Sequence, residues 1–171
     1  MFTQPTRTGI VLTSAVTAGL LFASCGIQSE PLSKADFIEQ ANTICQSTND
    51  RVEPLFDEVY NNLEDVDWDD PDNKLLLFVR FDEAMDEVLP IMNEQLDSIG
   101  ALEPPSEDEE LIDELIADQE AALTEFAVLM DAAANGDEAA LDTLDTEEDP
   151  FEEIDRRARD YGLTVCGEGG G

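Results

Sequence analysis

The chain alternates between long amphipathic stretches and short acidic or proline-bearing breaks. In the first stretch Phe37, Ala41, Ile44, Cys45, Val52, Leu55, Phe56, Val59 and Leu63 recur at spacings of three and four. That period puts them on one face of a helix about 30 residues long. Ser33 followed by Asp36 supplies a capping-box start with Asp in place of the preferred Glu. Pro54 lies inside the stretch and removes one backbone donor, so a bend is expected there.

Asp70-Pro71 has the form of a second helix start, with a capping acid and proline at the first helical position. Leu75, Phe78, Phe81, Met85, Val88, Met92, Leu96 and Ile99 carry that helix to Gly100, with a second bend expected at Pro90. Pro104-Pro105 forces an extended link, and Ser106 to Glu109 reads as an S-x-x-E capping box. The third stripe then runs from Leu111 to Ala133 and stops at Asn135-Gly136. Asp137 can cap a short piece through Leu144. After Pro150, the set Phe151, Ile154, Ala158 and Tyr161 marks a last amphipathic segment closed by Gly162. No stretch alternates as a strand, and four apolar stripes joined by short links predict an all-α, antiparallel four-helix bundle with kinked helices. At 171 residues the chain is of one-domain length.

Charge narrows the function. There are 42 acids against 8 bases and no histidine, for a formal net charge of -34. Such a surface repels nucleic acid and anionic headgroups and favours cations or basic partners, so nucleic-acid binding is excluded. The 42% hydrophobic content, regularly spaced, separates the chain from disordered acidic tails. Without histidine no Ser-His or Cys-His pair exists, and imidazole-based zinc and di-iron sites lose their ligands. No catalytic residue and no cofactor is nominated. The expected role is a non-catalytic one.

Before the first helix, Arg7 precedes an apolar or small run from Ile10 to Ala23, about 14 residues. A membrane-crossing helix needs roughly 20. The run has the form of a signal peptide. It ends Leu21-Phe22-Ala23-Ser24-Cys25-Gly26, which resembles the bacterial lipobox, although Phe22 stands where Leu, Val or Ile is usual. The resemblance implies that residues 1–24 are removed and that Cys25 is diacylated. The alternative is an ordinary signal peptide cut nearby, leaving Cys25 a plain thiol. Residues 25–32 then form the lipidated cysteine and a short tether, 33–166 the bundle and 167–171 a Gly-rich tail. Removing Arg7 with the leader leaves 42 acids against 7 bases.

With Cys25 acylated, Cys45 and Cys166 remain, in a compartment where thiols are oxidised. An up-down bundle puts its first and last helices side by side, so the two cysteines are a candidate disulfide; two buried free thiols are the alternative. The segment Leu32-Ser-Lys-Ala-Asp-Phe-Ile-Glu-Gln-Ala-Asn-Thr-Ile-Cys45 resembles the opening of a poorly characterised group of actinobacterial lipoproteins and membrane-anchored proteins. Tyr161-Gly-Leu-Thr-Val-Cys166-Gly167 is similar to the group's closing motif, and Leu102-Glu-Pro-Pro105 to its mid-chain hinge. The likeness spans most of the mature chain. It implies a helical bundle stapled between its ends, which agrees with the Cys45–Cys166 pairing, and it implies no particular activity.

Two charged features compete as ligand sites. Asp65, Asp67, Asp69, Asp70 and Asp72 begin like a calcium loop, but an EF-hand requires glycine where Asp70 stands and glutamate where Leu76 stands. Weak divalent-cation binding is therefore the sharper reading of this loop and a solvated acidic turn the plainer one. Glu147, Glu148, Asp149, Glu152 and Glu153 form a second acidic cluster at the start of the last helix. Arg156, Arg157 and Arg159 stand out in so acidic a chain; near a helix C-terminus they complement the dipole and pair with carboxylates, the alternative being an anion site. Taken together, the sequence predicts a lipid-anchored extracytoplasmic protein acting as an interaction or accessory module. Its expected partners are the membrane, reached through the anchor, and an envelope protein.

About 35 like charges on one domain repel at low ionic strength and are screened beyond about 8–10 Å near 0.1 M salt. The melting temperature is accordingly expected to rise between low and molar sodium chloride. A flat or falling trend in a calorimetric salt series would show that self-repulsion does not limit stability.

Overall fold

The computed structural model describes residues 31–61, 66, 71–144 and 149–168, with only the backbone at 71, 72, 74 and 168. Among the described residues the protein is all-helical. Three long helices, α1 (Lys34–Asn61), α2 (Pro71–Gly100) and α3 (Glu109–Ala134), are followed by two short ones, α4 (Glu138–Leu144) and α5 (Glu152–Tyr161), and a closing 3-10 turn at Cys166–Glu168. The short piece expected after Asp137 is α4, and the last amphipathic stripe is carried by α5. No helix among the described residues is long and apolar enough to cross a membrane.

Local chemistry explains most boundaries. The Ser33 hydroxyl donates to the Asp36 carboxylate at 2.5 Å and accepts the Asp36 N–H at 3.2 Å, so the expected cap of α1 forms with aspartate in the glutamate position. The Asp137 carboxylate accepts the N–H groups of Ala139 and Ala140 at 2.9 and 3.0 Å, starting α4. Gly136 makes the preceding turn with φ of 80°, a conformation that strains residues bearing a Cβ. Both long helices continue through Pro54 and Pro90. The carbonyls these prolines leave without a helical donor belong to Asp50 and Asp86, both exposed residues.

One expected cap does not form. Helix α3 begins at Glu109 behind Asp108, and no side chain caps it. Ser106 lies in the preceding turn, which the Asp108 N–H closes on the Pro105 carbonyl at 2.8 Å. The Asp108 carboxylate is committed to tertiary contacts: it accepts the Tyr161 hydroxyl at 2.8 Å and lies 3.6 Å from the Lys34 ammonium.

The helices pair in opposite directions. Arg51 of α1 meets Glu94 of α2 at 2.8 Å, while Phe56, further along α1, meets Phe81, further back on α2. On α3, Arg157 of α5 bonds Asp118 and Glu114 at 2.5 and 3.3 Å, and Phe126 meets Phe151 edge-on. Buried side chains run the length of the bundle, as far as Met130 and Ala133. Phe37, Ala41 and Cys45 are wholly enclosed, and Ile99, Ile112, Leu115, Ala158, Tyr161 and Leu163 close around them. Toward the other end Tyr60 is 60% exposed and Val128 67%.

The tight end is where the chain's termini are joined. Cys45 and Cys166 form a disulfide with their Cα atoms 5.1 Å apart across 121 positions of sequence. Beside it the Asn42 amide donates to the Gly162 carbonyl at 3.2 Å, and its oxygen accepts the Val165 N–H at 3.0 Å. Helix α5 ends in a Schellman motif: Leu163 N–H bonds the Ala158 carbonyl at 2.9 Å and Gly162 N–H the Arg159 carbonyl at 3.0 Å. Gly162 has φ of 116°, and a Cβ there would lie 2.8 Å from the Ile38 side chain. A Cβ at Gly167 would lie 2.7 Å from the Asp155 carbonyl oxygen. Both positions require glycine.

A bridge closing so long a loop stabilises by about 4–5 kcal/mol if it acts mainly on the unfolded chain. Replacing Cys45 and Cys166 together by serine is therefore expected to cost up to about that amount in urea unfolding. A loss below about 1 kcal/mol would mean that packing, and not the bridge, holds the chain's two ends together.

Candidate functional site

Beside the tight end, the helices line a half-open cavity of about 180 Å³. Helix α2 supplies much of its wall through Met85, Val88, Met92 and Leu96; α3 adds Leu115 and Leu123. Phe56, Phe126 and Phe151 close it with aromatic rings. These are the stripe positions that periodicity assigns to a core, so an apolar interior follows from sequence. That it is incompletely filled does not.

Four polar side chains interrupt the apolar wall: Asn49 from α1, Gln95 from α2, Gln119 from α3 and Asp155 from α5. Gln95 is only 8% exposed and Asp155 9%. Among the described residues no hydrogen bond reaches any of the four side chains, yet no fully enclosed polar side-chain atom is left without a partner. Their polar atoms therefore open onto free space, where a water or a ligand can satisfy them.

Asp155 is the most perturbed acid at the site. Burial foremost, and then the nearby charge of Asp149, raise its carboxyl to about 6, against a downward pull from Arg159. Arg159 itself donates to the Gly167 carbonyl, which keeps its guanidinium engaged with the closing turn. An acid held near 6 is mostly ionised at neutral pH, where it accepts hydrogen bonds, and takes up its proton as the pH falls toward 6. The cavity's side chains can bind through apolar contact and through hydrogen bonds to Asp155 and the three amides.

At the tight end Tyr161 packs edge-on against Phe37, with ring centroids 6.2 Å apart. The Lys34 ammonium lies 3.8 Å from the centre of the Tyr161 ring. Burial and the Asp108 carboxylate raise the phenol well above its ordinary range, so Tyr161 stays a neutral donor. These groups are mutually satisfied, and the cluster is a structural joint.

The residues singled out from sequence fall into three groups. Cys45 and Cys166 meet in the disulfide. Cys25 lies outside the described residues, as do Asp65, Asp67, Asp69 and Asp70; of Asp72 only the backbone is described, as the second residue of α2. Among the described residues no group of three or more potential ligands has the geometry to hold a metal. Two of the three arginines pair with carboxylates as the plainer reading expects, Arg156 with Glu153 and Asp160 on its own helix and Arg157 with α3, while Arg159 donates to the Gly167 carbonyl. Asp155, Gln95, Asn49 and Gln119 were not legible as a site. Each lies on an otherwise unexceptional helix, and only an acid or amide on the apolar face, such as Asp155 directly after Ile154, signals it.

Protein-family models, curated proteins and solved structures all yield no match to this chain. Its function is therefore argued from its own geometry.

The titration of Asp155 gives a measurable consequence. Because its carboxyl is raised in the fold, the native state holds the proton more tightly than the unfolded chain does. The associated stability is complete below the ordinary carboxylate value near 3.8 and is lost as pH rises through about 6. Asp155→Asn removes the cost of an ionised buried group, so it is expected to stabilise by about 2–3 kcal/mol at pH 7.5, with the gain vanishing near pH 4. Urea midpoints across that range test this; an equal gain at both ends would show that the carboxyl is not desolvated.

Proposed function

We propose that this protein is a lipid-anchored, extracytoplasmic helical module with a non-catalytic interaction or accessory role at the membrane surface. The observation that carries the reading is the Cys45–Cys166 bridge. Disulfides form and persist in oxidising compartments outside the cytoplasm. The third cysteine, Cys25, then stands alone behind an apolar leader, in the lipobox-like setting Leu21-Phe22-Ala23-Ser24-Cys25. In this reading residues 1–24 are a removed signal peptide and two acyl chains on Cys25 anchor the rest firmly, where one chain would bind only marginally.

The scaffold is read as an antiparallel four-helix bundle in which α4 and α5 share the fourth position. Chain direction supports a definite orientation. The Leu32 N–H bonds the Glu103 carbonyl at 2.8 Å, which places the last residues of the tether at the stapled end. The eight residues between Cys25 and Lys34 reach at most ~28 Å. The stapled end thus faces the membrane. Helix α1, 28 residues long, carries its far end ~42 Å away.

Mass spectrometry of the protein isolated from membranes is expected to show an N-terminus at Cys25 carrying a diacylglyceryl group. Cys25→Ser is expected to move the protein out of the detergent phase in Triton X-114 partitioning. An unmodified, full-length N-terminus would overturn this function.

A further inference from the structure

We infer that the cavity between α1, α2, α3 and α5 is a binding site for a small lipophilic amine, whose apolar body sits against Met85, Met92 and Leu115 and whose ammonium pairs with Asp155. This goes beyond the anchored-module reading and does not depend on it.

Three observations select this chemistry. The first is size. At about 180 Å³ the space is close to that of an engineered apolar cavity of about 150 Å³ that holds benzene. A single ring or a short branched chain fits within it. The second is the wall. Apolar side chains dominate, with the aromatic rings of Phe56, Phe126 and Phe151 among them, and aromatic faces attract cations as well as apolar groups.

The third is the unpaired acid. Asp155 is nine-tenths buried, lines the cavity, and accepts no hydrogen bond from a described side chain. The amides of Gln95, Asn49 and Gln119 also line the space without partners among the described residues. A carboxylate alone in a low-dielectric pocket gains most from a cation that brings its own hydrogen-bond donors. Amide oxygens can accept the remaining N–H groups of an ammonium. An anionic ligand is disfavoured twice, by Asp155 and by a chain of net charge -34 that concentrates cations around itself. Arg159, the nearest opposing charge, is turned to the Gly167 carbonyl.

The methionines make the test local. Met85 and Met92 line the cavity, whereas the buried Met130 does not. The protein, with its methionine methyls labelled with carbon-13, is titrated with benzylamine in 0.3 M sodium chloride. Toluene, benzoate and methylamine serve as probes that lack the charge, reverse it, or lack the apolar body. Benzylamine is expected to shift the Met85 and Met92 methyls saturably and leave Met130 in place, with affinity at least tenfold above toluene and methylamine and with no response to benzoate.

In Asp155→Asn the advantage over toluene is expected to disappear while toluene binding persists. Val88→Phe, which fills the space, is expected to abolish both responses. Circular dichroism checks that each variant is folded. If Val88→Phe does not fold, competition between toluene and benzylamine in the parent protein reports the shared space. Equal affinity for toluene and benzylamine would overturn the amine assignment, and so would benzylamine binding unchanged in Asp155→Asn. Shifts spread evenly over the Met85, Met92 and Met130 methyls, or none at any concentration, would overturn the site.

Discussion

The joining of residue 45 to residue 166 is the constraint on which the remaining structure depends. Helix α5 is only ten residues long, below the length at which an isolated helix is stable in water. It is held in place by what surrounds its end: the disulfide to α1, the two hydrogen bonds of Asn42, and the glycine-based turn through Gly162. Arg157 completes the attachment by bridging to Asp118 and Glu114 on α3. Because Asp155 is carried on this helix, the same attachments fix the acid against the interior.

That joint also explains how the bundle tolerates an imperfectly filled core. By the scaling seen for cavities left in protein cores, an enclosed void of about 180 Å³ costs on the order of 4 kcal/mol, the upper bound for this half-open space. A long-range disulfide contributes a similar amount in the opposite sense, about 4–5 kcal/mol. The two features sit next to each other, since Cys166 itself borders the cavity.

The excess of negative charge works against compactness and against contact with anionic headgroups. Local pairing relieves part of it: Arg51 with Glu94 and Arg157 with Asp118 tie neighbouring helices together. Elsewhere like charges face one another, as at Asp82, whose carboxyl is raised by burial first and then by Asp131 and its own neighbours. On the proposed anchoring, acyl chains and not surface electrostatics hold the domain at the bilayer, with its stapled end inward.

Helix positions, the Ser33 and Asp137 caps, the stops at Gly100 and Gly136 and the enclosure of Phe37, Ala41 and Cys45 were all legible from sequence. Each depends on residues within a few positions of one another, through period, capping groups or permitted φ. The failed cap at Ser106 shows where local rules end: Asp108 is engaged by Tyr161, 53 residues away, and the helix starts later than its own residues suggest. The same limit hid the cavity. Whether apolar stripes fill the space between them, and whether Asp155, Gln95, Asn49 and Gln119 converge on it, depends on the distances and rotations between helices. Those are set by packing across the whole chain and are absent from any single stretch of it.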